Sequence, residues 1–317
     1  MPVLYGHGAF IALGKETTWG TAATTTISNR INSVALQQNQ ERNRKANLSV
    51  PTSGMLSELF DGFTLVEGSI DMPLYYNGQG LLLEMAFGSS GTTGSGAPYT
   101  HTYTPDIDLG SATIEVQRGT GISNQMERFV GCKATSLSIS CEAGGEMTAS
   151  VDFIGRSVPT AFDRKSDITS SFGTGLSILH FHAGQLSFNS FSYDVRSMTF
   201  TITNNLERRN VLGSKLTAEQ AVSDVREVTL EVTLDIETNE LHKSFINGVQ
   251  DDVTISFTSG ADQIQFTCTN ALITSFSDPV NGFGRVEQSL TFTGLADSSN
   301  VGGKIVLINS NASAIAN

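Results

Sequence analysis

The sequence predicts a mainly β protein with two tandem antiparallel β-sandwich or barrel domains, each carrying one short α-helix. Composition, alternating strand patterns and a hairpin that occurs twice lead to this prediction. Only 16% of the 317 residues are charged and 31 are glycine, a balance typical of short strands joined by turns. The length suits two domains with a core each. We expect them to span residues 1–160 and 161–317.

The repeated hairpin is Thr135–Gly155, which returns as Thr274–Gly294. Apolar residues alternate with Ser, Thr and acidic residues on its arms, and Gly144-Gly145 suits a turn with positive φ. With the copies offset by 139 residues, seven of the 22 positions from Ala134 to Gly155 are identical. Any two β-rich halves alternate similarly, so the interpretation depends on further matches in the same order.

Three further segments match in order. They are Val34–Arg42 with Phe200–Arg208, Gly68–Leu74 with Val228–Leu234, and Ala112–Val116 with Val253–Phe257. Conserved order of this kind favours one fold used twice. We call Ile31–Gly155 the first copy and Met198–Gly294 the second copy.

Taken in order, the chain opens with a short predicted strand at Phe10–Leu13. Alternation predicts strands at Ile31–Arg42 and Phe63–Leu74, and the long polar stretch between them predicts a projecting hairpin. A last strand is predicted at Ile305–Ile308.

Each copy has one predicted helix. In Asn77–Gly88, Leu81, Leu82, Met85 and Ala86 recur at helical spacing, and Gly88 is suited to end the helix. In Thr238–Gly248, Thr238 or Asn239 can cap the first turn, and Leu241, Phe245 and Ile246 share one face.

Two polar segments lie outside this pattern. Ser89–Asp108 is rich in Gly, Ser and Thr and has no counterpart in the second copy. We expect a loop there, since long insertions in compact domains are functional or disordered. Ser157–Thr174 separates the copies.

Charge and cysteine content exclude several classes of protein. A net charge of −12 with a pI near 4.8 disfavours tight binding to a nucleic-acid backbone, which needs clustered Lys and Arg. Cys132, Cys141 and Cys268 are too few and too scattered for a disulfide framework, so we expect buried free thiols. No membrane-spanning apolar run or signal peptide is recognised, which predicts synthesis in the cytoplasm.

No catalytic motif stands out. His180 and His182 share one predicted strand face, but without a nearby carboxylate or cysteine a strand surface is favoured over a metal site. Glu142 and Glu146 flank a hairpin turn, where solvated carboxylates are expected. We therefore expect no enzymatic activity, no metal and no cofactor.

The opening GAFIALGKETTWGTAATT resembles the N-terminal segment of a family of phage tail tube proteins. The residues that carry the resemblance are Gly14, Lys15, Glu16, Thr17, Trp19, Gly20 and Thr21. The strand, long loop, strand, helix and hairpin order that follows is similar to that family's over most of the chain. The resemblance implies a structural subunit of a long-tailed, siphovirus-like phage, whose rings stack into a hollow tube.

This resemblance also implies the partners. We expect the chain to assemble with itself, with phage DNA and a tape-measure protein in the lumen without sequence-specific binding, and with tail-terminator and tail-tip proteins at the ends. The location is the virion tail, without a membrane. Two tube domains per chain predict trimeric rings with approximate six-fold symmetry, from which the 89–108 loop projects three times.

Two sets of residues are predicted to act in such a tube. Polar, acidic positions on the outward sides of the strands are expected to face the DNA channel, since they repel phosphates; they are Gln37, Asn39, Glu41, Asp71, Asp152, Asn205, Glu207, Glu231 and Asp235. The long loop is expected to dock on the neighbouring ring, because an exposed apolar cluster marks an interface; its residues are Arg42, Arg44, Lys45, Met55, Leu56, Leu59 and Phe60.

One alternative stays open from the sequence. A carbohydrate-binding or decoration β-sandwich protein of a virion would expose aromatic side chains on one sheet face. Here the aromatic residues mostly occupy core positions and Trp19 is the only tryptophan, which favours the tube subunit.

Overall fold

The computed structural model describes residues 3–45, 58–120, 125–158, 170, 172, 177–181, 184–280, 282–299 and 301–315. Over these residues the protein is mainly β with two short helices, as predicted. The strands of the first half are β1 (Phe10–Lys15), β2 (Ile27–Arg30), β3 (Ser33–Val34), β4 (Gln37–Lys45), β5 (Glu58–Pro73), β6 (Gly88–Thr93), β7 (Tyr99–Pro105), β8 (Ala112–Gln117), β9 (Met126–Glu142) and β10 (Thr148–Gly155). Those of the second half are β11 (Gln185–Phe188), β12 (Phe191–Tyr193), β13 (Val195–Thr203), β14 (Leu206–Arg209), β15 (Ala218–Val222), β16 (Glu227–Asp235), β17 (Gln250–Ser259), β18 (Asp262–Ser277), β19 (Glu287–Thr293) and β20 (Gly303–Asn309). The helices are α1 (Gly80–Phe87) and α2 (Glu240–Asn247).

Eight antiparallel strand positions form one continuous sheet, which we call the front sheet. Its order is β3 and β4 together, then β5, β10, β9, β13, β16, β19 and β18. The first copy supplies the first four positions and the second copy repeats the same order. The pairing of β9 with β13 joins the copies, and we call it the seam.

Behind the front sheet lies a second layer in each copy. In the first copy it runs β2, β1, β8 and the start of β9. In the second it runs β12, β11, β17 and the start of β18, then continues through β20 to β7 and β6. The long strands β9 and β18 therefore belong to both layers.

The repeated hairpin is reproduced down to its irregularity. The β9–β10 register shifts between Asp152 and Phe153, and the β18–β19 register shifts at the equivalent place, between Ile273 and Ser275. At each β-bulge a threonine hydroxyl donates to the facing strand: Thr135 to the carbonyl of Asp152 (3.1 Å) and Thr274 to that of Thr291 (3.2 Å). A shared bulge with a shared hydrogen bond supports duplication, since bulges are retained features of a fold.

Strand pairing corrects the other sequence matches by two residues. Asp71 lies opposite Ser150, while Thr233, not Glu231, lies opposite the equivalent Ser289. Strand pairing shifts the match of β3 with β13 and that of β8 with β17 by two residues as well. A two-residue slip keeps every side chain on its face, so an alternating pattern cannot detect it.

The expectation of a projecting loop at Ser89–Asp108 was wrong. Much of this segment forms the β6–β7 hairpin, and β7 pairs with β20 near the end of the chain. Tyr103 and His101 point inward and are buried, and the His101 ring lies 3.0 Å from Asn309 Oδ1. The alternating tyrosine and histidine of YTHTYTP make this segment a strand despite its glycine-rich start.

Both predicted helices are present and end at the predicted glycines, which adopt positive φ: 99° at Gly88 and 61° at Gly248. Their surroundings differ. Every residue of α1 is buried, whereas only Leu241 and Ser244 of α2 are. Phe245 and Ile246, which the sequence predicts to share a helix face with Leu241, lie at the surface.

One hydrophobic cluster extends through both copies. Phe200 of β13 stacks on Phe87 of α1 with ring centroids 6.4 Å apart, and lies 5.3 Å from the ring of Phe266. The three cysteines are buried free thiols, as expected. The domain boundary at residue 160 stays a prediction.

Candidate assembly and channel surfaces

The front sheet has one apolar and one polar face. Its apolar side chains pack into the core, while the other face presents hydroxyls and carboxylates across both copies. Positions on this polar face include Ser69, Asp71, Ser136, Ser138, Ser140, Ser150, Asp152, Thr199, Thr201, Thr229, Glu231, Thr233, Ser289 and Thr291. None of these side chains is positively charged, and Asp71, Asp152 and Glu231 give the set a net negative charge.

Four of the predicted channel residues lie on this polar face: Asp71, Asp152, Glu231 and Asp235. Asp235 stands at one end of its strand, where Arg285 (3.3 Å) and Arg196 (3.7 Å) contact its carboxylate. Its charge is therefore balanced, unlike the charge at the centre of the face.

The other five predicted channel residues lie on the two hairpins beyond this face and in the turn before the second of them. Gln37, Asn39 and Glu41 belong to β4 of the β4–β5 hairpin, where Gln37 lies opposite Glu67. Glu207 is on β14, which within the described residues pairs with β15 alone, in a separate two-stranded sheet. Asn205 occupies the turn before it, with a φ of 46°.

Asp71 is the best-anchored carboxylate of the polar face. The hydroxyls of Ser150 and Ser33, from the two flanking strands, donate to its two oxygens. These hydrogen bonds hold the pKa of Asp71 below its ordinary value of 3.8, Ser150 acting more strongly than Ser33.

Asp71→Asn is expected to lower the free energy of unfolding by about 1 kcal/mol at pH 7. Because the folded pKa lies below the unfolded value, the stabilisation is present above the unfolded pKa and is lost as pH falls through the folded pKa. The melting curves of the two proteins should therefore begin to converge as pH falls below about 4, the unfolded pKa. Glu237→Gln, on an exposed loop, is the control; a pH-independent difference for Asp71→Asn would contradict the prediction.

The seam joins the copies by a seven-residue register from Ser136↔Thr203 to Glu142↔Ser197. Leu137, Ile139, Phe200 and Ile202 meet on its apolar side and are fully buried. The seam therefore looks like the interior of a sheet, although it joins repeated units.

Two polar side chains of the second copy close the end of α1 across the seam. The Asn204 amide donates to the carbonyls of Ala86 and Ala134, both at 2.9 Å. Arg226 donates to Asn204 Oδ1 (2.9 Å) and to the carbonyl of Phe87 (3.0 Å). The bonds to Ala86 and Phe87 satisfy carbonyls that a helix end leaves unpaired, and the bond to Ala134 ties the same side chain to β9. Burial lowers the pKa of Arg226, with Asp106 nearby opposing this effect.

At the far edge of the second copy, β18 and α2 occupy the places that β9 and α1 occupy at the seam. The last residues of β18, Ser275–Ser277, pair with β19 on one side, and no other strand of the described chain lies against them. Beneath this edge Phe245 of α2 stacks on Phe276 (5.7 Å), and Ile246 is 67% exposed.

The β14–β15 hairpin of the second copy packs against the β4–β5 hairpin of the first. Lys215 reaches Asp61 (2.6 Å) and Arg208 reaches Glu67 (2.9 Å). The backbone N–H of Thr64 donates to the carbonyl of Lys215 (2.9 Å). Basic residues of the second copy thus meet acidic residues of the first.

The N-terminal signature segment braces the same junction. The Glu16 carboxylate is buried and accepts hydrogen bonds from Ser111, Thr113 and the backbone N–H groups of Gly20 and Gly131. This fixes the loop that carries Trp19, whose indole N–H donates to Gln220 of β15 (3.1 Å). The segment therefore positions the hairpin of the second copy.

Of the predicted loop residues, Arg42, Arg44, Lys45, Leu59 and Phe60 are exposed on the arms of the β4–β5 hairpin. Met55 and Leu56 lie outside the described residues, as does His182. Within the described part of the chain no cluster of His, Cys, Asp or Glu could hold a metal ion. Nor is any helix among these residues long and apolar enough to cross a membrane.

Comparison with protein families matches residues 6–294 to the model of a family described as phage tail tube protein. No curated protein matches the chain. The match covers both copies and both helices.

Proposed function

The chain belongs to the phage tail tube protein family, and from this we propose that its copies close into rings of three, which stack into a hollow tube for DNA ejection. As a member of this family it is a structural component of the virion tail that self-associates into a tube. We assign it no catalytic role.

The seam is the observation that carries the ring proposal. Within one chain the last strand of one copy already pairs with the first strand of the next, in register and over a common core. Repeating this contact between chains would pair β18 of one subunit with β3 of the next. Such heterologous contacts form a closed ring when their rotation closes, and closure removes the exposed edges that otherwise cause aggregation.

Strand number supports three chains per ring. Each chain supplies eight positions of the front sheet. Three chains would therefore supply about 24 strands, the number we expect for a tube of the family's usual bore, because barrel diameter grows with strand number. The ring then has true three-fold and approximate six-fold symmetry.

The polar face supports the channel lining. Its carboxylates repel DNA phosphates, and its neutral hydroxyls release no counterions from DNA, so DNA can pass without tight binding. We propose that Asp71, Asp152 and Glu231 line the bore, and that Gln37, Asn39, Glu41, Asn205, Glu207 and Asp235 lie towards its ends. The tape-measure protein would occupy this lumen before DNA, and tail-terminator and tail-tip proteins would close the ends.

Cryo-electron microscopy of purified tubes, with native mass spectrometry of single rings, tests the proposal. We expect three chains per ring and Asp71 and Asp152 on the inner wall. Rings of six chains would mean that only one copy lines the channel. A protein that forms no ring would overturn the assembly role.

A further inference from the structure

A groove of about 710 Å³ opens beside the end of the front sheet, between the second copy and residues 105–107 of the first copy. Ile202 and Val228 form its buried floor, and Leu295 is partly exposed on its wall. Ile107 (79% exposed) and Val225 (80% exposed) stand at its rim. Apolar side chains this exposed around an apolar floor indicate an interface.

The corresponding surface of the first copy is already covered. Strand pairing makes Arg156 and Val66 the counterparts of Leu295 and Val228. Around Val66, the β14–β15 hairpin of the second copy is docked: Arg208 donates to the carbonyl of Val66 (3.0 Å), and Lys215 to Asp61. On the first copy, the surface that corresponds to the groove is thus covered by the β14–β15 hairpin, which follows β13, the strand on the other side of the seam.

The β4–β5 hairpin is the first copy's counterpart of that hairpin. It continues from β3, which pairs with β5 on one side and has no strand of the described residues on the other. Its arms expose Leu59 (60%) and Phe60 (55%). Within the described chain, the groove of the second copy has no hairpin docked in it.

Charge complements shape at these two surfaces. The β4 arm of the hairpin carries Arg42, Arg44 and Lys45, all exposed, and the groove rim carries the exposed carboxylates of Asp106 and Asp224. The guanidinium of Arg226, which also lines the groove, is bound to the last carbonyls of α1. The contact inside the chain also pairs a basic hairpin with carboxylates, which there belong to the β5 arm of the β4–β5 hairpin. Complementary charges favour this pairing over others.

We infer that the groove of each subunit receives the β4–β5 hairpin of the neighbouring subunit in the same ring, with Leu59 and Phe60 against its apolar wall. This inference rests on the proposed ring and gives its subunits a second contact besides the sheet edge. It also assigns the hairpin stem to a contact within a ring, whereas the sequence suggested a contact between rings.

Crosslinking separates these possibilities. The double variant Leu59→Cys/Val225→Cys, assembled and treated with a short bismaleimide, should give a denaturing-gel ladder that ends at the number of chains in one ring. Each single variant should stay uncrosslinked, as should the wild type, whose three cysteines are buried. Leu59→Cys/Phe191→Cys, with the second cysteine at an exposed site on β12, is the matched control.

Two results would overturn the inference without touching the ring. One is intact rings with no crosslink in this pair or in a second pair, Phe60→Cys/Ile107→Cys. The other is a ladder that runs beyond the chains of one ring, since it would place the hairpin on a neighbouring ring. Failure to form rings, in contrast, would count against the proposed function itself. All four substituted positions are exposed, so the variants should fold, and circular dichroism checks this.

Discussion

Replacing Phe200 with alanine is expected to lower the free energy of unfolding by about 3–5 kcal/mol, the range measured when a buried phenylalanine is truncated. Phe200 is fully buried in β13, the first strand of the second copy. Its ring stacks on Phe87 of the first copy's helix and contacts Phe266 of β18. The cavity would therefore open where both layers and both copies meet.

Urea unfolding at one fixed protein concentration measures this effect, because association itself raises apparent stability. Phe191→Ala is the control: Phe191 is 46% exposed in β12, so its truncation leaves no enclosed cavity and should cost clearly less than that of Phe200. A loss below about 1 kcal/mol at Phe200 would mean that the copies do not depend on a shared core. A second transition appearing in Phe200→Ala alone would show that the seam had separated.

The sequence pattern predicted those parts of the fold that local chemistry determines. The hairpin Thr135–Gly155 and its repeat, and the helix ended by Gly88, follow from alternation, helical spacing and the need for positive φ. The β11–β12 hairpin was missed because its strands are short. Its turn, Asn189-Ser190 with φ of 49° and 66°, was the available signal, since asparagine tolerates the left-handed region.

The contacts across the seam could not be read from the sequence. Asn204 and Arg226 are a polar pair near strand ends, and nothing local indicates that they bind the carbonyls of a helix more than a hundred residues earlier. Likewise, alternation places Asp71 and Glu231 on one face, but it does not indicate that Arg285 from a loop neutralises the charge of Asp235. Such pairings depend on tertiary approach, which periodicity does not encode.

Ile246→Asp is expected to abolish ring formation while leaving the single subunit folded. Ile246 is largely exposed on α2, beneath the unpartnered edge of β18. The equivalent helix α1 is buried throughout and is covered by Phe200, Asn204 and Arg226 of the second copy. If the next chain covers α2 in the same manner, an aspartate there loses apolar burial and places an unpaired carboxylate in the interface.

The size of the effect follows from these two costs. Burial of an isoleucine contributes about 1.5–3 kcal/mol, and burying a charge without a partner adds to this, so each contact should weaken at least about 100-fold. Sedimentation velocity should show rings for the wild type and for Phe191→Asp, but single chains with native circular dichroism for Ile246→Asp. Rings in normal yield from Ile246→Asp would mean that α2 lies away from the contact between chains. The seam inside the chain would then be a poor guide to the contacts of the tube, because the same two elements would join copies within a chain and not between chains.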